Sequence, residues 1–490
     1  MLRKHYLFNL LFRNMSPVQS PTLDSLTALF DAQKARSLRL RVQPLTERKK
    51  LLRDFEKYFA AQRGRIQQAV FADFGKPATE VDMSEVYPVL TELRHTLAHL
   101  EEWAAPEDVD TPMTYLGSSS EVRYEPKGVC LIISPWNFPV NICFGPLVSA
   151  LAAGNTVFIK PSEYTPNTSR LIRDMVAEFF DDDLVTVVEG GVDQTRELLK
   201  LPFDHIFFTG SPQVGKVVMR AAAENLTSVT LELGGKSPTI IDETANLRDA
   251  ARRVAFGKFL NNGQTCIAPD HIWVHESVAE EWQQLLVAEV RKLFGEGGTI
   301  SEKSPSYGRV VSDKHFRRLH EMVEDAIQRG AKILLTGEHN AATRFMHPVV
   351  LTQVPPDARL MEEEVFGPVL PVLSYQNLDD VIRHINAWPK PLALYVFSSS
   401  KSNQEKVLHF TSSGSVCVND CITQYTHPNL PFGGVNNSGI GKAHGRYSFV
   451  AFSNEKPVLR QKRGFAMPYL LHPPYTESVK RSVNLMLKWF

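Results

Sequence analysis

The stretch VCLIISPWNFPVNICFGPLVSALAAGNTVFIK, residues 129–160, decides the fold of this chain. It begins with a run of apolar and branched residues, passes through a proline-framed loop and continues into a helical pattern over 143–153. A second short apolar run, TVFIK, closes it. Strand, helix and strand in this order predict a crossover between two parallel strands. Helices cover both faces of a sheet built from such units.

The same alternation continues toward the C-terminus. Three further strand-like runs follow, LVTVVEG, HIFFTG and SVTLELGG, with helical patterns at 167–180, 193–200 and 213–225. Five strands with four helices between them predict a largely parallel sheet of the nucleotide-binding type. A second series of similar build starts at PTIID and runs to SVCVN. We therefore predict an α/β fold with two Rossmann-like, open parallel-sheet domains.

Helical patterns also precede the first sheet. Apolar residues recur at spacings of three and four over 22–40, 45–71 and 79–104. A polar strand-like stretch, TYLGSSSEVRYEP, and the C-terminal segment are too small to hold a core of their own. We expect them to form a small β arm that packs against another subunit.

Composition excludes several classes of protein. Among 490 residues, Lys plus Arg and Asp plus Glu number 54 each, so the basic surface of a nucleic-acid-binding protein is not expected. The apolar runs stop well short of the roughly 20 residues that a membrane-spanning helix needs. Five cysteines show no disulfide framework, which favours reduced thiols and the cytoplasm.

The first 20 residues, MLRKHYLFNLLFRNMSPVQS, leave three interpretations open. Basic residues beside a short apolar run imitate a targeting peptide, although Asn9 and Arg13 interrupt the run. The alternatives are a disordered extension and a start codon upstream of a working Met15.

Cys266 in NNGQTCIAPD is the strongest chemical signal. An arbitrary lone cysteine is usually an inert, buried small hydrophobe. Here the helical pattern before it gives way abruptly to Asn262, Gly263, Gln264 and Thr265, which make a poor apolar environment. A partly exposed thiol near backbone N–H groups is stabilised as a thiolate and acts as a nucleophile.

Glu232 in TLELGGKSP is the second signal. Strand alternation places Leu231 and Leu233 on one face and Glu232 on the other. A solvent-facing glutamate is the simple interpretation. A parallel central strand is covered on both faces, however, which predicts a partly buried carboxyl group with a raised pKa and the capacity to act as a general base.

The loop SPWNFPV follows a buried strand, and two prolines frame Trp136, Asn137 and Phe138. It lies where the carboxyl end of a parallel sheet binds ligands. A plain Asx-type turn is one interpretation. The functional one is that the rigid loop aims the Asn137 amide at a developing oxyanion.

Four further loops carry weaker signals. In FFTGSPQVGK, Gly210, Ser211 and Gly215 open a helix that suits a pyrophosphate. In IKPSEYTP, Lys160 and Glu163 are ribose partners or an ordinary ion pair. EEEVFGPVLPV and PFGGVNNSGIG are functional loops or structural turns. The pair in CVNDC lacks the second Cys or His pair that zinc requires, so we predict no metal site.

Taken in order, PWNFP, IKPSE, FTGSPQVGK, LELGGKSP, GQTC, EEEVFGP and LPFGGVNNSG resemble the aldehyde dehydrogenase superfamily over nearly the whole chain. The short helical region before the first sheet and the ending LHPPYTESVK resemble its class 3 branch of fatty and aromatic aldehyde dehydrogenases. Members of that branch are commonly dimers and use NAD or NADP.

The resemblance implies a role for each matching residue. Cys266 is the nucleophile, Glu232 the base and Asn137 the oxyanion donor. The implied cofactor-binding residues are Trp136, Lys160, Glu163, Gly210, Ser211, Gly215, Glu364 and Phe366, with Lys160 and Glu163 at the adenosine ribose and the last two at the nicotinamide. One departure stands out, because Asn436 occupies a position where the branch usually has glycine.

The resemblance also implies the reaction, the domains and the partners. We expect NAD(P)-dependent oxidation of a medium- or long-chain aliphatic or an aromatic aldehyde to the acid, in a cytoplasmic homodimer. Acyl transfer to coenzyme A and a non-catalytic protein on the same fold are the rivals, and Glu232 and the intact catalytic set argue against them. The predicted divisions are an extension at 1–20, an NAD(P)-binding domain at 21–110 and 126–235, a catalytic domain at 236–430, and an oligomerisation arm with the tail at 111–125 and 431–490.

Overall fold

The computed structural model describes residues 22–464, 469 and 471–489. The predicted extension at 1–20 lies outside the described residues. Within the described part of the chain, every helix is too short or too polar to cross a lipid bilayer.

Helices occupy the N-terminal part of the described chain. They are α1 Leu23–Leu40, α2 Leu45–Ala61, α3 Arg63–Phe74, α4 Ala78–Val81, a π-helical turn Asp82–Val86 and α5 Tyr87–Ala104. The single helix predicted over 45–71 is wrong, because the chain turns at Gln62 between α2 and α3. Leu52, Phe55 and Phe59 recur at helical spacing and are fully buried, which fixes the inner face of α2.

The first α/β series follows two strands of the arm. The two arm strands are β1 Glu107–Val109 and β2 Ser118–Pro126. The elements of the series are β3 Val129–Ile133, α6 Asn141–Ala153, β4 Thr156–Lys160, α7 Pro166–Phe179, β5 Val185–Val187, α8 Val192–Leu198, β6 His205–Thr209, α9 Pro212–Ala223 and β7 Ser228–Glu232. All five residues of β3 are buried, as are all five of β4. The prediction of strands covered on both faces is confirmed there.

The second series is longer. Its elements are β8 Pro238–Ile241, α10 Leu247–Phe259, β9 His271–His275, α11 Glu276–Phe294, α12 Asp313–Gln328, β10 Lys332–Leu335, β11 Val349–Thr352, α13 Arg359–Glu362, β12 Val369–Tyr375, α14 Leu378–Ala387, β13 Ala393–Phe397, α15 Lys401–Phe410 and β14 Ser415–Val418. The sequence analysis did not find α15, because Val407 is its only buried residue and its apolar periodicity is correspondingly weak.

The described C-terminal part contributes four elements, β15 Gly439–Ile440, α16 Gly445–Ala451, β16 Ser453–Gln461 and α17 Glu477–Trp489. Strand β16 pairs with β2 in an antiparallel register from Ser453 opposite Pro126 to Gln461 opposite Ser118. Strand β1 pairs with the other edge of β2. These three strands form the small β arm.

Two open sheets position the site. The first has the order β15-β7-β6-β3-β4-β5, and the second β10-β11-β12-β9-β8-β13-β14. Each is parallel except at one edge, where β15 pairs antiparallel with β7 and β10 with β11. The pairing of β15 brings the segment after residue 430, which we had assigned to the arm, against Glu232 in the first sheet.

Candidate active site

A cavity of about 640 Å³ lies at the carboxyl ends of the first sheet's strands. The last residues of four parallel strands line it, namely Ile133, Lys160, Thr209 and Glu232. Open α/β sheets bind ligands at this edge because loops and helix N-termini meet there. Residues of the second sheet domain and of the segment 425–448 complete the lining.

The loop that carries Cys266 has an unusual backbone. Asn261, Asn262 and Gly263 all adopt the left-handed conformation, with φ of 53°, 57° and 72°. A methyl group on Gly263 would lie 2.2 Å from the carbonyl oxygen of Gly367, so only glycine fits at this contact. The turn ends α10 sharply and brings Cys266, which is half-buried, to the cavity.

The surroundings of the Cys266 thiol favour its protonated form. Burial, together with the nearby carboxyl groups of Glu364 and Glu232, raises its pKa to about 12. Hydrogen bonding by the backbone N–H groups of Cys266 and Ile267 acts in the opposite direction, as the sequence suggested, but is outweighed. Burial and the two carboxyl groups therefore act against the stabilised thiolate that the sequence predicts.

Glu232 is the last residue of β7 and only 5% exposed. Neither of its carboxyl oxygens has a hydrogen-bond partner among the described residues. Burial raises its pKa well above the usual range of a glutamate, and the charge of Lys442 opposes that rise. The prediction of a buried carboxyl group with a raised pKa is confirmed.

Asn137 follows β3 in the proline-framed loop and is 3% exposed. Its amide Nδ2 donates to the carbonyl oxygen of Gln264 at 3.0 Å. Its own carbonyl oxygen accepts from the Asn261 amide at 2.8 Å. These bonds join the Asn137 loop to the Cys266 loop, and both residues line the cavity.

The predicted ribose residues lie together in the cavity lining. Lys160 is buried, and its ammonium group is 3.6 Å from the Glu163 carboxylate. The same group donates to the carbonyl oxygen of Pro161 at 2.7 Å. Burial lowers the pKa of Lys160, whereas Glu163 raises it.

Gly210 and Ser211 line the cavity at the start of α9, but Gly215 does not. Ser211 caps this helix by accepting from the Val214 N–H at 3.4 Å. A methyl group on Gly215 would lie 2.7 Å from Leu233 Cδ2. Gly215 therefore serves close packing of the helix against the sheet, and it lies outside the cavity lining where a pyrophosphate contact was predicted.

Glu364, Phe366 and Trp136 meet at the other side of the cavity. The Trp136 and Phe366 rings are 5.2 Å apart, edge to face. Phe366 has a φ of 48°, a conformation that a bulky residue adopts only under constraint, and such constraint is common at ligand sites. Burial and the nearby charge of Asp270 raise the pKa of Glu364 to about 8.

Glu364 also explains a neighbouring glycine. A methyl group on Gly234 would lie 2.2 Å from its carboxyl oxygen Oε2, so the carboxyl group occupies the space that a side chain would take. Gly234 lies two residues after Glu232, the last residue of β7. The space beside the end of this strand is thus taken by the Glu364 carboxyl group.

The sequence analysis missed His315 and Arg318, which also line the cavity. His315 lies 5.0 Å from the Trp136 ring, and Arg318 donates to the carbonyl oxygens of Glu364 at 3.2 Å and Val365 at 2.6 Å. They share one face of α12, three positions apart. In the sequence they stand only as two polar residues of an amphipathic helix, a pattern that does not distinguish site residues from a solvent-exposed face.

A further part of the lining comes from α5, α6 and the segment 425–448. It is predominantly apolar and aromatic, with Tyr87, Pro88, Ile142, Pro146, Tyr425, Pro428 and Phe432. A ligand enclosed here gains mostly from burial of apolar surface. The polar exceptions include Glu92, whose pKa burial raises to about 7.

Known proteins resemble this chain over most of its length. The model of the aldehyde dehydrogenase family matches residues 18–458. Mouse aldehyde dehydrogenase family 3 member A2 is 41% identical over 94% of this chain and 93% of its own length. The dimeric NADP-preferring aldehyde dehydrogenase of the dog, Canis lupus familiaris, is 41% identical over 88% of this chain and 92% of its own.

Two solved structures extend the comparison. The substrate-bound state of Staphylococcus aureus AldH has a TM-score of 0.90 and 40% identity, covering 94% of this chain and 99% of that one. A Mycobacterium tuberculosis aldehyde dehydrogenase complexed with NAD+ has a TM-score of 0.82 and 27% identity, covering 91% and 92%. The match extends over both sheet domains.

Proposed function

The chain belongs to the aldehyde dehydrogenase family, and we propose that it oxidises apolar aldehydes to carboxylic acids with NAD or NADP. The observation that carries the proposal is the meeting of Cys266, Asn137 and Glu232 in one cavity. Medium- or long-chain aliphatic and aromatic aldehydes suit the apolar lining.

The residues present fit a nicotinamide dinucleotide. The Thr209 hydroxyl is buried at the cavity without a hydrogen-bond partner in the described chain, beside Gly210 and the capped N-terminus of α9. An unpaired hydroxyl at a helix start, where the helix dipole favours negative charge, suits a pyrophosphate. Lys160 and Glu163 would hold the ribose, and Glu364, Phe366 and Trp136 the nicotinamide end. The Mycobacterium tuberculosis aldehyde dehydrogenase that this chain resembles is complexed with NAD+, which supports a dinucleotide as the cofactor.

Acylation begins when the Cys266 thiol gives its proton to a water molecule and its sulfur adds to the aldehyde carbon. The carbonyl oxygen becomes an oxyanion, which the Asn137 amide and the Cys266 backbone N–H stabilise. When bound, the oxidised nicotinamide supplies the acceptor for the hydride that leaves this carbon. The C=O bond then re-forms and leaves a thioester on Cys266.

Deacylation is assigned to Glu232. Its ionised carboxylate takes a proton from water as the water oxygen attacks the thioester carbon. The carbon–sulfur bond breaks, and the acid leaves a restored Cys266 thiolate. Two unpaired carboxyl oxygens facing an enclosed space are suited to this task, since neither is committed to another group.

The proposal extends to domains, assembly and compartment. We assign the first sheet to cofactor binding and the second to catalysis. We also propose a homodimer formed through the β arm, because β16 is an exposed outer strand of nine residues and such edges pair readily. Few cysteines favour the cytoplasm. Light scattering after size exclusion tests the dimer. Loss of the dimer after deletion of residues 453–490 tests whether the arm forms the interface.

A direct assay tests the activity. Aliphatic aldehydes of increasing length and aromatic aldehydes are mixed with NAD+ or NADP+, and reduced cofactor is followed by absorbance. We expect turnover with free acid as the product by mass spectrometry. Acyl-CoA formation when coenzyme A is added, or no reduced cofactor with any aldehyde, would contradict the proposal.

A further inference from the structure

Three ionisable side chains of the N-terminal helical region are buried without a role in the chemistry above. Lys76 and Glu85 are fully buried, and Glu80 is nearly so. The Lys76 ammonium group and Glu85 Oε1 are 2.9 Å apart. All three lie around the π-helical turn between α3 and α5. We call these residues the Lys76 cluster.

The Lys76 cluster forms hydrogen bonds with the Asn137 loop. Glu85 Oε2 accepts from the backbone N–H groups of Val140 at 3.1 Å and Asn141 at 2.9 Å. The Lys76 ammonium group donates to the Asn137 carbonyl oxygen at 3.4 Å. Both ends of the short segment from Asn137 to Asn141 are therefore attached to charged groups from the helical region.

The same cluster contacts the Cys266 loop. Glu80 Oε1 accepts from the backbone N–H of Asn261 at 2.8 Å. Asn261 is the first of the left-handed residues, and its amide donates to the carbonyl oxygens of Asn137 at 2.8 Å and Gln264 at 3.1 Å. The Lys76 cluster thus bonds to the Asn137 loop and to the Cys266 loop. It also bonds to Asn261, the residue whose amide joins the two loops.

Stability alone explains this arrangement poorly. Removing charges from water costs several kcal/mol for each ion, and an apolar replacement of a buried pair is often neutral or stabilising. Burial accordingly raises the pKa of Glu80 and Glu85, while the charge of Lys76 lowers it. Directional bonds to particular backbone groups are what the cluster offers and an apolar core does not.

We propose that Lys76, Glu80 and Glu85 are positioning residues that set the Asn137 amide against Cys266, so that nucleophilic addition depends on helices outside both sheets. The inference rests on the proposed function. A misplacement of about 1 Å at such a site costs on the order of 10²-fold in rate. We therefore expect loss of the cluster to lower acylation while cofactor binding persists.

The first test replaces the pair by neutral side chains of similar size, Lys76→Met with Glu85→Gln. Glutamine still accepts from Val140 and Asn141, so the double variant removes the Lys76 donor to the Asn137 carbonyl oxygen and leaves neither member of the pair charged. We expect a melting temperature close to that of the wild type and a kcat/KM for aldehyde reduced about 10- to 100-fold. The Kd for NAD+ should stay within about twofold.

Asp73→Asn is the matched control. Asp73 is another buried carboxylate of the helical region, and it accepts from the backbone N–H groups of Asn167 and Thr168. Those groups start α7 and do not line the cavity. This variant should lower the melting temperature and leave kcat/KM near the wild-type value. Equal kcat/KM losses at equal loss of stability in both variants would assign the cluster to folding alone.

A second test does not need aldehyde turnover. Iodoacetamide labelling followed by peptide mass spectrometry gives the alkylation rate of Cys266 alone. Glu80→Met removes the acceptor for Asn261, whereas Glu80→Gln keeps it. We expect a change of threefold or more in the rate for Glu80→Met and near wild-type behaviour for Glu80→Gln.

These two tests separate the inference from the proposed function. If the wild type oxidises no aldehyde, the proposed function fails, and the labelling rates still decide whether the cluster sets the Cys266 loop. If the wild type is active, wild-type kcat/KM in the stable double variant overturns the inference. Equal labelling rates in both Glu80 variants and the wild type overturn it as well.

Discussion

Asn137 and Glu232 line the same cavity, and their side chains are held in opposite ways. The Asn137 amide is bonded to the Cys266 loop, and the backbone around it is bonded to the helical region. The carboxyl oxygens of Glu232 have no hydrogen-bond partner in the described structure. A group that must meet an oxyanion at a fixed point gains from being held in place. A base that takes a proton from water gains from remaining unpaired.

Removal of Cys266 should have the largest effect, since Asn137 and Glu232 both act on intermediates bound to its sulfur. Cys266→Ala should lower aldehyde oxidation by at least about 10⁴-fold, as loss of a catalytic nucleophile typically does. NAD+ binding, followed by fluorescence titration, should persist. Cys417→Ala, at a half-buried cysteine outside the cavity, should retain full activity. Retention of more than a few per cent of turnover by Cys266→Ala contradicts the assignment.

Glu232→Gln should separate the two half-reactions. Steady-state turnover should fall by roughly 10²- to 10⁴-fold, because deacylation loses its base. Rapid mixing should still show a burst of reduced cofactor, followed by a stall with the thioester on Cys266. Glu243→Gln, at an exposed glutamate, serves as the control. The absence of a burst would move Glu232 from deacylation to deprotonation of the thiol.

Asn137→Ala tests the side chain that is held by hydrogen bonds. Loss of one oxyanion donor should lower kcat by about 10²- to 10³-fold, or about 2.7 to 4 kcal/mol. The burst itself should slow, which distinguishes this variant from Glu232→Gln. Asn137→Asp should be at least as damaging, because a carboxylate repels the oxyanion. Turnover by Asn137→Ala within about threefold of the wild type would return the proline-framed loop to a purely structural role.

The smallest expected effect concerns the charge near Glu232. A base acts when ionised, so deacylation should rise with pH up to the raised pKa of Glu232 and then level off. The charge of Lys442 lowers the pKa of Glu232. Lys442→Met removes that charge and should move the acidic limb of the pH profile to higher pH, whereas Lys442→Arg keeps the charge and should leave the profile unchanged. A shift of about one unit would lower deacylation roughly tenfold on that limb. Identical profiles for both variants would exclude the electrostatic effect.

Local sequence was sufficient where one segment carries the whole signal. The alternation of buried runs and amphipathic helices gave the two parallel sheets, because side-chain burial on both strand faces leaves continuous apolar runs such as those of β3 and β4. The short antiparallel strand β15 was not predictable. Two residues carry no periodicity, and their pairing with Glu232 depends on a partner about two hundred positions away along the chain.

The candidate site divides in the same way. The residues of each motif could be named from the sequence, since Cys266, Glu232 and Asn137 interrupt patterns that an apolar core or a plain turn would continue. Only the tertiary structure decided how they are held and in which ionisation state. Gly215 packs on Leu233, burial and two carboxyl groups raise the pKa of the Cys266 thiol, and the Lys76 cluster supports both loops. Burial, charge proximity and hydrogen bonding arise between segments distant in sequence, so they exist only after the chain has folded.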